Sequence, residues 1–240
     1  MEPDRLLNGL LWFVAFLFST TVHEAMHALV AFRGGDRTAY VGGQVSLSPL
    51  PHIRREPVGM VLVPLLTAFT SGWAVGWAST PYDPAWAARH PRRAASMAVA
   101  GPAGNLAIAL VAFAALRGGL AAGVFSSPDR VSLQHVVDVA GGGPLGALGE
   151  ALGVLLVLNV LLFVFNMLPV PPLDGATAIG GLLPERSALA VARLASHPVF
   201  AVLGILVAWQ VFPYVARPLF SALLVLLHPS ERYASAAFGA

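Results

Sequence analysis

The chain has 240 residues, 57% of them hydrophobic and 11% charged, whereas a soluble domain carries roughly 25% charged residues. A globule coated on all sides by water is therefore excluded, and a multi-span membrane protein resting in the lipid bilayer is indicated. The net charge of +2 comes from 14 Arg without any Lys against 12 acidic residues; the arginines form no aromatic-interleaved stripe, which argues against a nucleic-acid partner, and the lack of Cys excludes disulfides and thiolate metal ligands.

Apolar segments fall at about 6–32, 57–78, 95–116, 148–168 and 198–227. They predict an all-α polytopic membrane protein, a bundle of about five or six hydrophobic segments. The whole chain, 1–240, reads as a single integral-membrane domain with a core over 6–186 and C-terminal hydrophobic segments over 187–240. The first run follows a poor basic region (Glu2, Asp4, Arg5) and meets no small-residue cleavage site, so it reads as a retained span rather than a signal peptide. Between Arg33 and Glu56 the character changes. Gly34-Gly35-Asp36 is a turn signal, and the partial alternation of Tyr40 to Ser48 predicts a short β-hairpin or edge strand beside the first helix. Such an edge could pair with an unfolded substrate backbone.

Charge sets up a conflict at 57–78. Arg33, Arg37, Arg54 and Arg55 precede it, Arg89, Arg92 and Arg93 follow it, and both flanks should then be cytoplasmic. Gly59, Pro64, Gly72 and Gly76 would permit a re-entrant segment buried against protein; the alternative is a true span whose arginines snorkel. With a re-entrant segment, 95–116 leaves the cytoplasm, 148–168 returns, and the chain near Glu185, Arg186 and Arg193 is cytoplasmic again. Pro213 and Pro218 interrupt the last segment, which reads as two short spans or as one span and an interfacial helix. Gly72 and Gly76 stand four apart and could pack helices within or between chains, leaving the oligomeric state open.

The chemistry concentrates in the first apolar helix, at His23-Glu24-Ala25-Met26-His27. Residues four apart share a helix face, so two imidazoles can meet one zinc ion while Glu24 serves as a general base on water there. Ionisable groups in a membrane helix are costly and usually functional. Zinc hydrolases commonly use three protein ligands, and His52, His90, His135, His197 and His228 are candidates for the third by type, as is any carboxylate. Asp174 stands out, because Pro169, Pro171 and Pro172 break the preceding helix and present it at the start of another; its bland reading is an N-cap. Asn105 reads as an interhelical hydrogen-bonding amide and Asn159 as packing. Asn166 reads equally as such an amide or as a donor to a scissile carbonyl.

These elements resemble the site-2 protease family, the intramembrane zinc metalloproteases of peptidase family M50. The resemblance rests on His23-Glu24-Ala25-Met26-His27 and on Asn166 to Gly175, which matches an Asn-x-x-Pro-x-x-x-Leu-Asp-Gly pattern. Ala100-Gly101-Pro102-Ala103-Gly104-Asn105, Leu47 to Ile53 with Pro57-Val58-Gly59, and Gly76-Trp77-Ala78 are similar to the compact bacterial branch without PDZ or CBS domains. It implies one zinc held by His23, His27 and Asp174, Glu24 as the catalytic base and Asn166 orienting substrate or its oxyanion. It also implies a membrane-protein substrate cut in or near a transmembrane segment, in a bacterial inner membrane. Two departures, Arg54-Arg55-Glu56-Pro57 after His52-Ile53 and Ala176 after Asp174-Gly175, remove no reacting atom; the first leaves a fixed role for His52 in doubt. Competing readings are an ion-coupled transporter, which also uses intramembrane His, Asp and broken helices, and a catalytically silent adaptor of the same fold.

Overall fold

In a bilayer an apolar run must satisfy its own backbone, and a helix does so within one segment. The computed structural model, which describes residues 3–132, 135–139, 143–184, 187 and 198–230, contains four helices long and apolar enough to cross a membrane. They are α1 (Pro3–Arg33), α6 (Pro91–Ala121), α7 (Gly143–Asn166) and α9 (Pro198–Leu227). Short elements lie between them: α2 (Thr38–Val41), α3 (Pro49–Arg55), a π-helical stretch (Val58–Leu62) running into α4 (Val63–Ser71), α5 (Pro84–Arg89) and α8 (Asp174–Gly180). Glu185, Arg186, Arg193 and His197 lie outside the described residues.

The apolar core joins the N-terminal half of α1 (Trp12, Phe16) to α6 (Leu116), α7 (Val154, Val157, Leu161) and α9 (Phe220, Leu224). Phe125, Val136 and Val137 from the α6–α7 connection close that end. The polar residues Ser19 to His27 sit deeper along α1, where α6 crosses close. That approach depends on small residues: at Gly104 a Cβ would lie 3.1 Å from Met26 Cγ and 3.3 Å from Val22 Cγ1.

The segment 57–78 forms a hairpin. Its helical arm runs along α1 toward the N-terminus, where Arg5 Nη2 donates to Thr70 O (3.0 Å) and Asn8 Nδ2 to Gly72 O (3.4 Å). Gly72, at φ 81°, takes the left-handed conformation that reverses the chain. The return is extended and reaches Gly59 again, where Trp77 N donates to Gly59 O (3.1 Å), then Glu24 at Thr80. From Asn8 to Glu24 α1 advances about 24 Å, and from Gly72 to Thr80 an extended chain covers about 26 Å, so the return keeps pace with α1. Gly72 and Gly76 therefore do not form a helix-packing pair; at Gly76 a Cβ would collide with Gly59 O of the facing arm.

Two expectations change. The β-hairpin over 33–56 is absent: among the described residues that loop holds α2, turns and α3, without a strand. Local turn chemistry wins over a weak alternation. Asp36 Oδ1 accepts from Thr38 N (2.9 Å) and Thr38 Oγ1 (2.6 Å), opening a helical turn, and Pro49 starts α3. Val41 and Leu47, which alternation would pair on a strand, are 81% and 71% exposed. The extended segment near the histidines is instead the return over Gly72 to Asp83. The last apolar run is one helix of 30 residues through both Pro213 and Pro218, since in a membrane-crossing helix local adjustment and neighbouring groups re-satisfy the backbone that proline frees.

Asp36 also accepts from Asp83 N (2.8 Å), tying the end of α1 to the returning segment. Burial acts to raise its pKa, but the Thr38 hydroxyl and the Thr38 and Asp83 amides outweigh it and hold the carboxyl below the usual range. Its contribution to stability is thus present above the unfolded-state value near about 4 and is lost as pH falls through the lower folded-state value. Asp36→Asn is expected to destabilise the neutral-pH protein by about 1–3 kcal/mol. The difference from wild type should shrink on acidification below about pH 4, as read by thermal unfolding of the purified protein.

Candidate metal centre

The helical spacing brings His23 and His27 together as expected. Their rings meet edge-on with centroids 4.6 Å apart and Nε2 atoms separated by 2.9 Å. Asp174 reaches both from a distant part of the chain. Its Oδ2 lies 3.2 Å from His23 Nε2 and 3.3 Å from His27 Nε2. The proline-rich segment after α7 makes this approach. Leu168 and Leu173 anchor it in a small apolar cluster with Ala208 of α9, and Gly175 sits where a Cβ would collide with Met167 O, folding the start of α8 back onto the end of α7. Asp174 is the first residue of α8, whose N-cap is Leu173, and no side-chain cap bond is made there. The carboxylate goes to the histidines rather than to a helix end.

The far side of each ring fixes its proton. His27 Nδ1 lies 2.7 Å from Met97 O, which can only accept, and His23 Nδ1 lies 2.6 Å from Asn105 Oδ1. Both Nδ1 atoms are therefore donors, and in neutral rings both Nε2 atoms present lone pairs. Two lone pairs and a carboxylate oxygen converging inside a bundle repel one another without a cation between them. The three gaps, 2.9 to 3.3 Å, approach the roughly 3.3 Å edge of a tetrahedron drawn with about 2.0–2.1 Å bonds. Two imidazoles and one carboxylate are a zinc donor set that leaves one position open. The residues present thus fit the metal.

Glu24 is buried beside the pair, 4% exposed, and Thr80 Oγ1 lies 2.7 Å from its Oε2. Thr80 arrives on the returning segment, which loop side chains pin: Ser79 Oγ donates to Glu56 Oε1 (2.6 Å) and Gln44 Nε2 to Ser79 O (3.5 Å). Above the rings passes Gly101 of α6, where a Cβ would collide with His27 Nε2. Four of the histidine candidates sort elsewhere. His52 Nε2 bonds to Ser46 O, His135 Nε2 to Asp138, and His228 to Ser127 Oγ and Val136 O. His90 stacks edge-on against Trp86. Asn166 closes α7, its amide donating to Leu162 O (2.9 Å) one turn back. Sequence reasoning missed the site roles of Asn105, Met97 O, Thr80 and Gly101; of these only Asn105, an amide in an apolar helix, and Gly101, in the same family-like element, carried any signal.

The sequence signature of Peptidase family M50 matches residues 11–207. The chain belongs to peptidase family M50. It is similar to "Putative zinc metalloprotease YwhC" of Bacillus subtilis (strain 168), 29% identical over 211 residues that cover 87% of this chain and 85% of that protein. It is also similar to "Putative zinc metalloprotease Rip2" of Mycobacterium tuberculosis, 31% identical over 180 residues, 74% of this chain and 60% of that one. No solved structure matches. As an M50 member the chain is a metalloendopeptidase with zinc as its metal, and its four long apolar helices make it a multi-pass membrane protein.

Proposed function

We propose that this M50 member is an intramembrane endopeptidase. It hydrolyses a peptide bond in or near a transmembrane segment of a membrane-protein substrate, as a step of regulated intramembrane proteolysis in a bacterial inner membrane. The observation that carries the reading is the convergence of His23 Nε2, His27 Nε2 and Asp174 Oδ2, all within 4.8 Å of one another, with both histidines on a helix long and apolar enough to cross the bilayer. A protease whose two histidine donors lie inside a membrane-crossing helix meets substrates that share the membrane.

In this reading His23, His27 and Asp174 hold the zinc, which when bound supplies Lewis acidity to a peptide carbonyl and to water. Glu24 takes a proton from the attacking water and hands it to the leaving amine. Thr80 holds the Glu24 carboxylate in place for that exchange. Asn166, at the end of α7 where the chain turns toward Asp174, is assigned to orient the scissile carbonyl. A helical peptide bond is shielded by its own hydrogen bonds, so the substrate must unwind locally before it is cut. Arg33, Arg37, Arg54, Arg55, Arg89 and Arg92 are exposed around the His27 end of α1, which favours access from the cytoplasmic side.

The test is made in proteoliposomes with a panel of single-span proteins whose spans carry helix-breaking residues, against a soluble unfolded protein as control. Cleavage sites mapped by mass spectrometry are expected within or next to the span. Cleavage of the soluble control alone would contradict the membrane substrate class.

A further inference from the structure

Asn105 is fully buried in α6, and its amide has a determined sense. Its Nδ2 lies 3.3 Å from Ser19 O, which can only accept, and 2.8 Å from Asn159 Oδ1. Asn159 of α7 is also fully buried and is oriented in turn, because its Nδ2 lies 2.8 Å from Leu155 O and 2.8 Å from Ser19 Oγ. With both NH2 groups directed at carbonyl or hydroxyl oxygens, Asn105 is left with Oδ1 toward the histidine, 2.6 Å from His23 Nδ1. An acceptor at that distance requires the proton on Nδ1.

We infer that Asn105 is a positioning residue that locks His23 as the Nδ1–H tautomer and aims Nε2 at the metal, and that Asn159 holds Asn105 in the sense this requires. The inference rests on the zinc reading above. The two histidines are oriented by different means. His27 donates to the backbone oxygen of Met97, which no substitution removes. His23 depends on a side chain, itself held by another side chain on a third helix. Groups that orient metal-ligating histidines this way commonly change metal affinity about 10–100-fold when removed. A chain of amides with a fixed direction also spans α1, α6 and α7, so metal binding and the packing of three helices share the same bonds.

The experiment measures zinc affinity of the full-length protein in detergent by competition with a chromophoric chelator, beside melting temperature with the metal stripped. Asn105→Leu removes the acceptor at similar volume. Asn105→Asp keeps an oxygen toward His23 and loses the donors to Ser19 and Asn159. The expected result is a roughly 10–100-fold weaker zinc affinity for Asn105→Leu, with Asn105→Asp binding at least about tenfold tighter than the leucine variant. Equal zinc affinities for the two variants, or wild-type affinity in Asn105→Leu, would overturn the inference and leave Asn105 a merely interhelical amide. Should Asn105→Leu fail to fold, nitrogen NMR of histidine-labelled, metal-free wild type decides: His23 protonated on Nδ1 with Nε2 bare is expected, and the opposite tautomer overturns it. Wild-type protein that binds no zinc would remove the zinc reading itself, a result distinct from zinc held equally well by wild type and Asn105→Leu.

Discussion

Glu24→Gln is expected to retain one zinc per chain and to lose cleavage by about 10³-fold or more, within the range that a general base contributes. Glutamine preserves the volume of a side chain that is 4% exposed, and its amide oxygen can still accept from Thr80 Oγ1, 2.7 Å away in the parent. What it cannot do is accept and return a proton at neutral pH. Glu24 lies outside the set formed by His23, His27 and Asp174, so metal content should not follow activity. Measuring zinc by mass spectrometry alongside turnover separates the two. Wild-type turnover in the variant would remove Glu24 from the mechanism, and loss of zinc would make it a metal-supporting group instead.

Gly101→Ala is expected to reduce zinc affinity by about 100-fold or more, beyond the usual effect of a group one layer removed from the metal, and to abolish cleavage with it. The added Cβ would collide with His27 Nε2 and lie 2.6 Å from His27 Cε1 and 2.7 Å from His23 Nε2. Both rings are held from behind, by Met97 O and Asn105 Oδ1, so neither can withdraw without breaking a buried bond. Helix propensity acts the other way, since alanine is favoured over glycine in a helix interior by about 1 kcal/mol. That gain offsets only part of the clash, since overpacking costs about 1–3 kcal/mol, so the metal-free variant should melt no higher than wild type and fail to bind. Gly118→Ala on the same helix is the control, because nothing beyond its own stretch of helix lies within 4 Å of its added Cβ; it should leave zinc affinity unchanged. Wild-type zinc affinity in Gly101→Ala would show that the rings do not occupy the positions described.

The parts of this centre legible in the sequence are those in which spacing is geometry. His23 and His27 had to share a helix face once α1 was a helix. Asp174 was visible because prolines rarely cluster in a membrane segment without presenting something. The hairpin over 57–78 was one of two readings left open by arginines on both flanks, and the bond between Trp77 N and Gly59 O fits the re-entrant one. The loop over 33–56 misled because its alternation was short and its residues are exposed, so Asp36 and Pro49 decided the backbone rather than side-chain burial. Pro213 and Pro218 marked no break, since the surroundings of a helix decide whether a missing donor matters. Asn105 and Thr80 act on residues 82 and 56 positions away, and an amide in an apolar helix looks the same whether it bonds a neighbouring helix or a metal-facing imidazole. Met97 contributes a backbone oxygen, which no residue type announces.

The central claim is that His23, His27 and Asp174 hold one zinc ion within a spanning bundle. X-ray absorption at the zinc edge, on full-length wild type and on Asp174→Ala, tests it most directly. One zinc per chain is expected in wild type, with a nitrogen and oxygen shell at about 2.0–2.2 Å and the outer scattering of two imidazoles. Asp174→Ala is expected to lose stoichiometric zinc. A wild-type shell with other than two imidazoles, or an unchanged spectrum at full occupancy in Asp174→Ala, would contradict it.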